Sequence, residues 1–156
     1  MKSIAAFILL AASIIAAAAA AGLEVRKSAS PYPELENAYT VTLEYNIPLG
    51  EDETAETAKR RDITIRDTVP EEFVLVEGAL VKRVKSVVPG EWQKFAYVIK
   101  AANDVTYTLA ETKKTVKLPR AYFEIFADDT ETAEVVENTQ TEAVDVTLKL
   151  HTPSPI

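Results

Sequence analysis

The dominant pattern along this chain is an alternation of apolar and polar positions with a period of two. In AYTVTLEYNI (38–47), Tyr39, Val41, Leu43, Tyr45 and Ile47 fall on one face, and Thr40, Thr42, Glu44 and Asn46 on the other. That spacing predicts a half-buried strand, because successive side chains of an extended backbone point to opposite sides. The period returns in RDITIRD (61–67), with Ile63 and Ile65 inward and Thr64 outward. It recurs in FVLVEG (73–78), ALVKRVKSVV (79–88), EWQKFAYVIKA (91–101), VTYTLAE (105–111), RAYFEIFA (120–127) and AVDVTLKL (143–150). Turn residues punctuate the runs: Gly78, Pro89-Gly90 in the order of a type II turn, Asn103-Asp104, and the charged loops PLGEDETAETAKR (48–60) and DDTETAE (128–134).

No stretch carries a helical period, and Val, Thr and Tyr abound where a helix would use Ala and Leu. Seven or eight short strands with turns between them predict an all-β chain. The expected fold is an immunoglobulin-like antiparallel β-sandwich over residues 38–150. The predicted core is Val41, Leu43, Ile63, Ile65, Phe95, Tyr97, Ile99, Phe123, Ile125, Val146 and Leu148. Within RDITIRDTVPEEFVLVEG (61–78), Pro70 ends a strand because it has no amide proton for the ladder. The segment is expected to be a corner between sheets, with Asp67 tying down the turn through local backbone bonds.

Three segments stand outside that pattern. Residues 1–22, MKSIAAFILLAASIIAAAAAAG, place Lys2 ahead of an apolar run interrupted only by Ser13 and ending in small residues. This is the layout of a secretory signal peptide, with an uncleaved membrane anchor as the alternative. Residues 23–37, LEVRKSASPYPELEN, hold two prolines and no lasting period, and are expected to be an extended leader ahead of the sandwich. Residues 151–156 form a short tail.

Composition narrows the chemistry. The formal net charge of −7 disfavours a phosphate backbone as partner, so nucleic acid is not expected. There is no cysteine and a single histidine, His151, so a disulfide is excluded and a usual zinc shell is not expected. Ser86 is the one serine inside a predicted strand, which gives a Ser/His/Asp hydrolase little footing. Glu51-Asp52-Glu53 and Asp128-Asp129 are acidic pairs that calcium would accept, but they lack the glycine-bearing spacing of a calcium loop. Lys59-Arg60-Arg61 reads as the flank of a strand before it reads as a processing site. The expectation is a protein that is not an enzyme and uses no cofactor.

Surface aromatics point to a partner instead. Trp92 and Val98 fall on the face opposite Phe95, Tyr97 and Ile99, and Tyr122 and Phe126 fall opposite Phe123 and Ile125. Aromatics on an outward sheet face invite an interface, unless a bulge or a loop covers them. These four residues are the candidate partner contacts. Lys82, Arg83 and Lys85 read as charges protecting a sheet edge.

The run VTLEYNIPLG (41–50) resembles the first lumenal strand of the beta subunit of the translocon-associated protein complex, a family whose domain opens on a "TLQYNIYNVG"-like segment. The likeness continues through RDITIRDTVPEEFVLVEGAL (61–80), with its alternating strand, acid, proline-bearing turn, aromatic and V-x-G-x-L. It runs across VPGEWQKFAYVIKA (88–101) to roughly Ala127. The D-T-V-P-E-E-F corner is also similar to one in immunoglobulin-like repeat domains of microbial surface proteins. Asn103-Asp104 stands where the family tends to have glycine, and this sequence ends at HTPSPI where the family continues into a transmembrane helix and a short cytosolic tail. The resemblance implies a non-enzymatic lumenal subunit at the endoplasmic reticulum membrane. It would be held there by its partners or by an anchor beyond Ile156. Its partners would be the other subunits of the complex and the Sec translocon, and its task would be to assist nascent-chain translocation by scaffolding. The alternative is a secreted or cell-surface immunoglobulin-like adhesion domain.

Overall fold

The structure, a computed structural model, describes residues 22–102, 113–126 and 135–150. Residues 1–21 of the proposed signal segment, the strand expected at 105–111, the loop at 128–134, and the tail with His151 lie outside the described residues. Among the described residues there are ten strands and no helix: β1 (Glu24–Pro31), β2 (Ala38–Asn46), β3 (Arg61–Arg66), β4 (Phe73–Glu77), β5 (Val81–Val87), β6 (Gln93–Ala101), β7 (Lys113–Leu118), β8 (Tyr122–Phe126), β9 (Val135–Gln140) and β10 (Val144–Lys149). They form two four-stranded sheets, β1-β2-β6-β4 and β5-β3-β8-β9, and a two-stranded sheet, β10-β7. Every pairing is antiparallel.

One hydrophobic core draws on all three sheets. Val41 and Leu43 of β2 and Ile99 of β6 meet Ile63 and Ile65 of β3, Phe123 of β8, Leu118 of β7 and Leu148 of β10. All eleven residues expected in the core are buried. The described residues are all-β and sandwich-like, with the inward faces of β1, β2, β6, β8 and β10 packed into that core.

Three expectations need correction. Residues 23–37 are not a leader ahead of the domain: β1 pairs along its whole length with β2, from Glu24 opposite Asn46 to Pro31 opposite Tyr39. Leu23, Val25, Lys27 and Ala29 are buried. The alternation is present, but Lys27 at an inward position and Ser28 beside it disguise it. Two further strands, β7 and β9, were also not anticipated. They are rich in charged and polar residues, and their pairing with β10 and β8 is what extends them.

Thr64 points outward as expected, yet it is only 6% exposed, because β3 is flanked on both sides and Arg83 and Glu124 lie directly across from it. Val98, expected to be accessible, is likewise buried at 6% exposure. Its strand β6 lies between β2 and β4, with Thr40 opposite on one side and Glu77 on the other. The β4–β6 register shifts between Leu75 and Glu77. That bulge turns Glu77 to the same outer face as Val98, where strict alternation from buried Phe73 would have aimed a carboxylate into the core.

Candidate partner surface and a buried charge centre

Trp92 follows the turn that the sequence marks with Pro89-Gly90. Gly90 has φ 93° and its N–H donates to Ile47 O at 2.8 Å. The left-handed backbone favours glycine here, and a Cβ would also make the exposed Leu49 side chain, whose Cδ1 would be 2.9 Å away, move aside. The turn delivers Trp92 to the outer face of the β1-β2-β6-β4 sheet, 40% exposed. The guanidinium of Arg26, on β1, stacks 3.9 Å from the centre of the indole ring. Arg26 also reaches Glu44 of β2 at 3.7 Å. The cation–π contact, worth about 0.5–1 kcal/mol at an exposed site, holds the ring against the sheet.

Tyr122 and Phe126 occupy the outer face of the other four-stranded sheet. Tyr122 is 53% exposed. Phe126 is half-buried because Arg83 stacks over it at 4.3 Å while bonding Asp62 Oδ2 at 3.0 Å. Of the four candidate contacts, Trp92 therefore stands alone on one sheet, Tyr122 and Phe126 share another, and Val98 is withdrawn from solvent. One flat partner could not touch both groups, since the outer faces of two packed sheets point away from each other. The basic residues of β5 do lie on an edge strand, at one end of the sheet order β5-β3-β8-β9. Lys82 folds over the Phe95 ring at 5.5 Å.

The most unusual group in the core was not anticipated. Lys27 projects inward from β1, and its Nζ donates to both oxygens of Asp67 at 3.0 Å and to Pro119 O at 2.6 Å. Tyr97 OH, from β6, donates to Asp67 Oδ2. Thr68 N–H donates to Asp67 Oδ1 at 2.9 Å, so the local turn bond expected of Asp67 exists, but it is the smallest part of that residue's work. The side chains of Lys27 and Asp67 are fully shielded from solvent. Burial pushes the Lys27 ammonium down from its ordinary pKa, and the Asp67 charge works against that shift. Burial, and then the same carboxylate, push the Tyr97 phenol far up, so it stays a hydrogen-bond donor.

All three ammonium protons have acceptors, so no donor is left over for a substrate. The arrangement joins β1, β6 and the loops after β3 and β7 at a single point. The signal for Lys27 was an alternating LEVRKSA with a lysine on the apolar phase, which is legible only once the segment is known to be a strand.

Among the described residues, no three His, Asp or Glu side chains gather where they could hold a metal ion, and no helix is long and apolar enough to cross a membrane. Compared with known proteins, the chain matches no family model and no curated protein.

Proposed function

We propose that this chain is an immunoglobulin-like lumenal module of the translocon-associated type, a scaffold that docks through its sheet faces and performs no chemistry of its own. The observation that carries the reading is Trp92: a large aromatic held out of the core, stacked by Arg26 and exposed on an outer sheet face. Tryptophan and arginine are the residues most enriched where interfaces gain their affinity.

The strand order supports the immunoglobulin-like reading. β1-β2-β6-β4 and β3-β8-β9 follow the neighbour relations of the ABED and CFG sheets of such sandwiches. Two departures are that β4 precedes β5 in the chain, although β5 is the strand beside β3, and that β7 and β10 add a separate pair. The resemblance to the translocon-associated beta subunit rests on residues that form β2, β3, β4, the corner between β3 and β4, and β6, and it runs to roughly Ala127.

The test is a detergent pull-down from endoplasmic-reticulum membranes. Wild-type chain should recover the other subunits of the complex. Trp92→Ala should keep its melting temperature within a degree or two and recover markedly less, since losing a buried interface tryptophan costs about 2 kcal/mol or more of binding. Recovery of no subunit by either chain would move the protein to the secreted adhesion class.

A further inference from the structure

A cleft of about 530 Å³ beside the β1–β2 turn takes no part in anything above. Its walls are Tyr32, Pro33 and Leu35 on the turn, Tyr39 at the start of β2, Lys113 on β7 and Lys149 on β10. The floor is rigid. Asn37, in the left-handed region at φ 56°, accepts from Lys149 N at 2.7 Å and donates to Lys149 O at 2.8 Å. Tyr39 OH donates to Thr147 O and accepts from Thr147 N at 3.2 Å. These bonds fix β10 against the turn before any ligand arrives, so ordering the site on binding costs little.

The charges in the cleft are unbalanced. Lys113 and Lys149 lie directly opposite each other in the β7–β10 ladder. Like charges at directly opposed positions destabilise a sheet. Neither lysine has an ion-pair partner among the described residues; Glu36, on the same wall, has an interaction of its own. The other end of the same ladder is built conventionally: Lys117 faces Asp145, with Nζ and Oδ1 3.2 Å apart. In a chain with 24 acidic and 17 basic residues, two lysines directly opposed in one ladder are a local exception, although Glu36 lines the same cleft and Glu34 lies 3.4 Å from Tyr32 OH. The lysines sit beside an apolar wall that includes two tyrosines, a proline and Leu35, which is 41% exposed.

We propose that this cleft binds an extended acidic peptide segment of a partner protein. Carboxylates of the segment bridge the Lys113 and Lys149 ammonium groups, and its aliphatic or prolyl side chains cover Tyr32, Pro33 and Leu35. A small inorganic anion would satisfy the lysines and leave the apolar wall wet, so the combined lining favours a peptide. The cleft lies at the Ala38 end of β2 and Trp92 at the Tyr45 end, about 25 Å apart along the strand. The two surfaces can therefore fail or succeed separately.

The experiment is selection of a random heptapeptide display library on the full chain and on the Lys113→Glu/Lys149→Glu variant. The wild-type chain should enrich peptides carrying Asp or Glu next to Leu or Pro, and the reversed variant should lose these and enrich Lys and Arg. A peptide resynthesised from the wild-type pool should bind the variant at least tenfold more weakly and shift the backbone amides of Tyr32, residues 34–39 and Lys149 in the wild-type chain. Should the doubly reversed chain not fold, Lys149→Gln serves, with a severalfold weakening expected. Absence of acidic enrichment, or equal binding to wild type and variant, overturns the proposal. So does inorganic phosphate alone reproducing the peptide's amide shifts, which would make the cleft a plain anion site.

Discussion

Arg26 and Lys27 are neighbours in the chain with the same charge, and the strand sends them to opposite faces. Arg26 lies on the outside, stacked on Trp92 and near Glu44 at a loose 3.7 Å. Lys27 lies inside, fully shielded, with three acceptors within hydrogen-bonding distance. Water screens the first, so its ion pair contributes at most about 1 kcal/mol. Nothing screens the second, so its charge is tolerable only while every partner is present. One step along a strand thus separates a residue free to serve a surface from one committed to the fold.

The largest effect should come from breaking the inner pair. Asp67→Ala leaves a buried ammonium without its counter-charge and Tyr97 OH without its acceptor, and should cost about 3–5 kcal/mol in a denaturant melt. Lys27→Met/Asp67→Leu should recover much of that loss, because the pair is replaced by apolar volume. A single-mutant loss below about 1 kcal/mol would show that Lys27 reaches solvent, and the contrast with Arg26 would collapse.

Asp62 sharpens the comparison, since it is a buried acid whose basic partner is partly in water. Its carboxylate is 1% exposed, while Arg83 above it is 37% exposed. Burial alone would raise its pKa, but the Ser86 N–H bond at 3.0 Å and the Arg83 guanidinium outweigh this and hold it below the usual 3.8. A depressed folded pKa contributes stability that is present in full above 3.8 and is lost as pH falls through the folded value. Asp62→Asn should therefore melt lower at neutral pH and flatten the decline measured between pH 4 and pH 2. An unchanged acid limb would remove Asp62 as its cause.

The smallest effect belongs to the outer residue. Arg26→Ala should lower stability by no more than about 2 kcal/mol, the upper bound for a screened ion pair and an exposed cation–π contact together. Tryptophan fluorescence should nevertheless move to longer wavelength as the indole loses its cover. A loss as large as that of Asp67→Ala would mean that both faces of β1 are structural.

The period of two was enough to locate the strands that carry the core, because burying one face of a pleated strand requires apolar residues at every second position. Val41, Leu43, Ile63, Ile65, Tyr97, Ile99 and Phe123 could all be placed from that rule, as could the turn at Gly90 and the outward setting of Trp92. Strands β7 and β9 could not, since they gain their extension from ladders to residues distant in sequence and show little apolar rhythm of their own. Val98 obeys the alternation and is buried all the same: its cover comes from strands on either side, which no local pattern records. Lys27 and Asp67 are forty positions apart, and Lys113 and Lys149 are joined only by a ladder. A charge is read in sequence as solvated because burial of an unpaired one is so costly. Whether a partner waits inside is decided only when distant strands come together.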